Sequence, residues 1–274
     1  MFSITVYPNA KINLGLYVTR KRPDGYHDLE TVFFPVVGLH DTLEIAEVNT
    51  TSTSLHLEVC GNRELACEPN NILERAYELL VPFEPPKLRV RLTKQIPTGA
   101  GLGGGSADAS FFLQAIAPFC KRAVAAEQLE SLALQLGSDC PFFLRNTPAI
   151  GRGRGEKLTS IVLDLSGYYL LVVVPPIHIS TKEAFAAITP QTPQNALHET
   201  LLRPVEGWGN SLYNDFQAYV VKQYPCIGSL LTSLRGRDAV YTSLSGSGSA
   251  LFGLYRQLPE LPNLPNCLVH LERL

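Results

Sequence analysis

No run of like charge in the sequence is longer than a few residues: charged residues make up 18% of the 274, and the formal net charge is −2. That excludes the electrostatic footprint of a nucleic-acid binder or of a protein held on an anionic membrane. There is also no CxxC pair. The six cysteines, at 60, 67, 120, 140, 226 and 267, are scattered, and the close pair Cys60 and Cys67 has no His or Cys partners at zinc-ligand spacing. Reduced thiols in a cytoplasmic protein are the expectation. The longest apolar run, YYLLVVVPP from Tyr168, is too short to span a bilayer and is broken by Pro175 and Pro176. MFSITVYPNAKINLG at the start shows no basic stretch followed by an apolar one, so we expect a protein neither exported nor embedded. Internal repeats and low-complexity tracts are not visible.

What is present reads as α+β. From Ala10 to Val18 apolar residues alternate (Ala10, Ile12, Leu14, Leu16, Val18), the period of a half-buried strand, and Lys11 and Asn13 share its opposite face. RPDGYH supplies turn chemistry before a second apolar run from Leu29, which predicts a hairpin. In KLRVRLTKQI, Leu88, Val90 and Leu92 share one face while Lys87, Arg89 and Arg91 share the other, the pattern of an antiparallel or mixed sheet. NNILERAYELL predicts a helix capped by Asn70 or Asn71. SADASFFLQAI predicts one opening at Ser106, with an early Asp108, and stopped by Pro118; AAEQLESLALQLG predicts one ending at Gly137. Length allows two domains. The composition changes at GRGRGE, residues 151–156, and the expected division is 1–152 and 153–274.

Between the Leu88 strand and the Ser106 helix lies PTGAGLGGGSADAS, residues 97–110. Glycines let backbone approach a ligand closely, and a helix starting there aims free N–H groups and its positive dipole end into the loop, so the natural guest is phosphate. The loop is not a Walker A sequence, because no Lys-Ser/Thr follows the glycines. Gly99, Gly101 and Gly104 match G-x-G-x-x-G. A dinucleotide fold and its oxidoreductases are nevertheless opposed by the amphipathic preceding strand, by Pro97 and Thr98 in between, and by the lack of a second strand ending in an acid about 20 residues on. No HRD or DFG segment accompanies the loop, which excludes the protein-kinase arrangement.

The loop closely resembles P-x-G-x-G-L-G-G-G-S-S-x-A of the GHMP kinases and, within them, the branch whose acceptor is CDP-methylerythritol in the non-mevalonate route to isoprenoid precursors. AKINLGLYVTRKRPDGYHDLET, LGSDCPFFL, PPIHISTKEAF and SLSGSGSALFGLY resemble further motifs of that branch, in its order and across nearly the whole chain. The resemblance implies a two-domain fold: an ATP-binding, ribosomal-S5-domain-2-like N-terminal part and a ferredoxin-like C-terminal part. It also implies ATP and Mg²⁺, a small-molecule acceptor, and a monomer or homodimer in the cytoplasm. The rivals are a GHMP kinase for another small alcohol and a non-catalytic nucleotide-binding relative.

By the same resemblance each site residue has an expected part. Pro97, Thr98, Gly99, Ala100, Gly101, Leu102, Gly103, Gly104, Gly105, Ser106 and Ala107 would hold ATP's phosphates, with Asn71 and Lys94 toward its adenine end. Asp139 would be the catalytic base and Lys11 the cation that stabilises charge on the moving phosphoryl group. Tyr26 and Phe185 would sandwich the cytosine and His27 would hydrogen-bond it. Thr181 lies one helical turn before Phe185; Asn13, Gly246 and Ser247 complete the acceptor set. No protein metal ligand is expected. The chain departs from the branch in having Ser106-Ala107 for two serines, and Ser138 and Cys140 around Asp139 for Ala and Val.

Overall fold

The computed structural model describes residues 1–49, 54–61, 70–191 and 197–274. Cys67 lies outside the described residues; Cys60, Cys120, Cys140, Cys226 and Cys267 are free thiols. Along the chain, β1 (Ser3–Val6), β2 (Asn9–Lys21), β3 (His27–His40), β4 (Thr42–Glu47) and β5 (Leu55–Cys60) are followed by α1 (Ile72–Leu80) and β6 (Leu88–Thr93). Next come α2 (Gly104–Ile116), α3 (Ala126–Leu136) and α4 (Cys140–Arg145), then β7 (Ala149–Gly153), β8 (Lys157–Ser160) and β9 (Tyr169–Val174). The remainder comprises α5 (Thr181–Ala186), α6 (Leu197–Leu201), α7 (Asp215–Gln223), α8 (Pro225–Arg235), β10 (Tyr241–Leu244), β11 (Leu251–Tyr255) and β12 (Leu268–Arg273). The class is α+β, as the sequence predicts.

Two compact units divide the chain, and each is assembled from separate segments. The first takes Met1–Ala10, Val36–Thr98 and Gly103–Asn146; the second takes Lys11–Pro35, Gly99–Leu102 and Thr147–Leu274. In the first unit a mixed sheet runs β1-β4-β6-β5, with β4 antiparallel and β5 parallel to β6. Leu88, Val90 and Leu92 are buried while Arg89 and Arg91 face solvent, the alternation read from the sequence. That apolar face joins Leu73, Ala76 and Leu80 of α1 and Phe112, Leu113 and Ile116 of α2 in one core. Each of the leucine, isoleucine and phenylalanine side chains removed from water stabilises the fold by roughly 2 kcal/mol. Asn71, not Asn70, caps α1: its carboxamide oxygen accepts the Leu73 N–H at 3.0 Å, and Glu74 returns the favour to the Asn71 N–H at 2.9 Å.

In the second unit an antiparallel sheet runs β10-β11-β9-β12. Leu171 and Val173 of β9 pack with Phe216 and Val220 of α7 and with Ile227, Leu231 and Leu234 of α8. A further sheet runs β2-β3-β7-β8, and the Arg22–Tyr26 turn joins β2 to β3 as the expected hairpin.

Some local expectations need correction. β2 is not half-buried, since residues 9–18 are buried on both faces, Lys11 and Asn13 included. The polar face is covered by backbone and hydroxyl groups from far along the chain, which no local pattern announces. α2 opens at Gly104 rather than Ser106, behind Gly103 at φ 73. α3 ends at Gly137 as expected, but that residue is extended (φ 176), so its glycine character is not used for a left-handed cap.

Candidate active site

In the first unit, the site is built on the start of α2. Gly103, the N-cap of α2, takes φ 73; Gly99 and Gly101, which belong to the second unit, take φ of 70 and 81, so each of these positions favours glycine. Gly105 is exposed, and a Cβ there would meet nothing within 4 Å. The first N–H groups of the thirteen-residue α2 therefore face an approachable surface, with the dipole's positive end behind them.

Asp139 is tied to this same turn. The Ser110 hydroxyl on α2 lies 2.8 Å from both the Ser106 and the Cys140 carbonyl oxygens. A Cβ on Gly137 would lie 3.4 Å from the Cys140 sulfur and 3.7 Å from the Ser106 hydroxyl. Segment 137–140 is thus seated against the first turn of α2. Asp139 occupies the N-cap position of α4 ahead of Pro141, yet its half-buried carboxylate makes no capping hydrogen bond to that helix. Capping does not account for the carboxylate. Burial pushes the neighbouring Cys140 thiol up to about 11, against hydrogen bonds from Ser106 and Ser110, so no thiolate competes at neutral pH.

Asn71 and Lys94 lie deeper in this unit. Asn71 is 3% exposed and, among the described residues, its carboxamide nitrogen is buried with no hydrogen-bond partner. The Lys94 side chain is 4% exposed and ion-pairs with Asp41 and, at 2.7 Å, with Asp108. Burial opposes its charge, but the two carboxylates outweigh that and hold the ammonium above its ordinary range.

Lys11 anchors the second unit's part. Its side chain donates to Asn13 Oδ1 at 2.6 Å and to the Gly101 carbonyl at 2.9 Å, and its Nζ lies 5.5 Å from the Phe33 ring centre. The Asn13 carboxamide in turn donates to the Thr31 hydroxyl at 2.9 Å, and Thr31 to the Gly15 carbonyl. Ser245 donates to the Gly101 carbonyl at 2.9 Å, and a Cβ on Gly101 would fall on the Ser245 carbonyl oxygen. Ser245 and Gly246 therefore pack on loop backbone. The Gly246 carbonyl accepts from Asn214 at 2.8 Å, and the Ser247 hydroxyl lies 3.0 Å from that of Thr181.

The expected base-binding residues also belong to this unit. His27 stacks on Phe185 with ring centres 5.0 Å apart and planes 18° from parallel, while Tyr26, 56% exposed, has the Arg154 guanidinium over its ring at 5.0 Å. His27, not Tyr26, is the ring against Phe185. Burial, then the Lys21 charge, lowers the His27 pKa, which leaves a neutral imidazole able to donate and accept at neutral pH. Sequence reasoning did not single out Thr31, Asp41 or Asn214 as parts of these networks, and no local pattern signals them.

Residues 71–146 match the GHMP kinases N terminal domain. The chain is 45% identical over 251 residues to a 4-diphosphocytidyl-2-C-methyl-D-erythritol kinase of Bacteroides fragilis, covering 91% of each. A crystal structure of 4-(cytidine 5'-diphospho)-2C-methyl-D-erythritol kinase superposes with a TM-score of 0.78 at 33% identity, covering 92% of this chain and 90% of that one. A homoserine kinase of Cytophaga hutchinsonii, at TM-score 0.65 and 17% identity over 93% of this chain and 85% of its own, shares the fold alone. With the loop, Asp139 and the DGYH turn all in place, the chain belongs to the 4-diphosphocytidyl-2-C-methyl-D-erythritol kinases, GHMP kinases by fold.

Proposed function

We propose that this chain transfers the γ-phosphoryl group of ATP to the 2-hydroxyl of 4-diphosphocytidyl-2-C-methyl-D-erythritol in the non-mevalonate isoprenoid route, acting in the cytoplasm as a monomer or homodimer. The proposed division of labour gives nucleotide binding to 1–152 and the remaining part of the fold to 153–274. The loop from Pro97 to Ala107 receives the triphosphate on its amides and on the N-terminus of α2. Asn71 offers its unpartnered N–H to the adenine end. Bound Mg-ATP supplies the transferable phosphoryl group, the metal arriving on the phosphates as Mg²⁺ commonly does where carboxylates are few.

Asp139 takes the proton of the attacking hydroxyl as oxygen bonds to the γ-phosphorus and the bond to the β,γ-bridging oxygen breaks, releasing ADP. Lys11 supplies positive charge for the moving group. Hydrogen bonds to Asn13 Oδ1 and to the Gly101 carbonyl help to orient its ammonium. Tyr26, His27 and Phe185 receive the cytosine, with Thr181, Asn13, Gly246 and Ser247 toward the rest of the acceptor. The observation that carries the acceptor assignment is this aromatic set, His27 stacked on Phe185 with Tyr26 exposed beside it in sequence. Phosphorus NMR of the product tests it. One new phosphate monoester on the carbon that also bears the methyl group, formed one-for-one with ADP, is expected; an ester elsewhere on the acceptor would overturn the assignment.

A further inference from the structure

We propose that Asp41, Lys94 and Asp108 are positioning residues that fix the phosphate loop from behind, fastening the chain that enters it to the helix that leaves it. The inference rests on the phosphate-binding reading of the loop. Lys94 stands immediately before the loop, and Asp108 stands on α2 just after it. Their ion pair at 2.7 Å therefore closes the segment that contains every loop glycine. Asp41 holds the entry strand from the other side: one oxygen pairs with Lys94, and the other accepts the N–H groups of Gln95 at 2.5 Å and Ile96 at 2.9 Å.

All these groups are sealed from water, with side-chain exposures of 4% for Lys94, 0% for Asp41 and 1% for Asp108. A buried ion pair is a weak source of net stability, because desolvation offsets its attraction. What such a cluster supplies is fixed geometry. Gly104, the first residue of α2, shows how close the fastening lies to the anion site: a Cβ there would be 2.9 Å from Ile96 and 3.3 Å from the Lys94 ammonium. Glycine at 104 thus lets the helix N-terminus rest on the clamp. An ammonium under a helix N-terminus is unfavourable by the dipole alone, so the two carboxylates are needed to hold it there. Among the described residues, Asp108 Oδ1 is buried with no hydrogen-bond partner, one acid more than a single ammonium satisfies. The part of Lys94 in nucleotide binding is then to hold the loop, not to read the base.

The test measures affinity for Mg-ATP and for Mg-tripolyphosphate, which has no base, on the full chain. Under the clamp, Lys94→Met loses roughly ten- to hundredfold for both ligands by the same factor, the scale usual for groups that orient a binding shell. Should Lys94→Met fail to fold, Asp108→Ala is expected to lose about tenfold for both ligands, and Asp108→Asn, which can still accept from Lys94, to stay within about threefold. In all folded variants the KM for the acceptor stays near wild type. A loss confined to ATP would assign Lys94 to the base and overturn the proposal, as would unchanged affinity in Asp108→Ala. A wild-type protein that binds neither ligand would overturn the phosphate-loop reading itself.

Discussion

Asp139 occupies a helix-capping position without capping the helix. An aspartate ahead of a Pro-containing first turn is ordinarily a cap, yet here the cap hydrogen bond is absent and the segment is fastened through Ser110 to the start of α2. Asp139→Asn keeps size and shape but cannot take a proton. We expect phosphoryl transfer to fall by about 10²–10⁴, with Mg-ATP affinity within a few-fold; turnover near wild type would remove Asp139 from the mechanism. Asp108 makes a different prediction at this scale. Burial, with the Asp41 charge adding and Lys94 opposing, raises its carboxyl above the ordinary carboxylate range. The folded protein therefore gives up this proton at higher pH than the unfolded chain, which loses it near pH 4. Stability from this group is complete below about pH 4 and is lost as pH rises through the raised value. Urea midpoints at about pH 5 and about pH 9 should fall more in wild type than in Asp108→Asn, and equal falls would contradict the assignment.

Elements carry the loop and the carboxylates to their places, and their legibility in the sequence varied with the range of the cause. β6 was readable because its alternation reflects a face against α1 and α2 and a face in water, and α1 because Asn71 and Glu74 form a local capping box. The burial of Lys11 and Asn13 was not readable: the covering groups, Gly101 and Ser245, come from 90 and 232 residues away. The start of α2 was misjudged because three glycines in succession carry low helix propensity, whereas packing over Ile96 and Lys94 extends the helix to Gly104. α2 also joins core and site. Phe112, fully buried in the first unit's core, is expected to cost about 3–5 kcal/mol when cut to Ala. Urea unfolding followed by circular dichroism would read it, and a loss below about 1 kcal/mol would mean that this helix is not held as described.

At the scale of the molecule, the chain passes back and forth between its two units rather than completing one before the next. The composition change at 151–156 falls close to Thr147, where the chain enters the second unit for the last time. Nothing in the composition could show that Lys11–Pro35 and Gly99–Leu102 go with that later segment, since their attachments, such as the pairing of β3 with β7 and the Asn13 to Ser245 hydrogen bond, join residues more than 100 apart. Family membership was more legible than the local networks, because the motifs that carry the resemblance are short and local, while the networks beneath them are not. The central claim is a choice of acceptor. Its most direct test is ADP release by the purified protein with Mg-ATP and, in turn, 4-diphosphocytidyl-2-C-methyl-D-erythritol, homoserine, mevalonate and galactose. Rapid turnover with the cytidylyl acceptor alone is predicted; turnover with another of these alcohols, or ATP binding without turnover on any, would contradict the account.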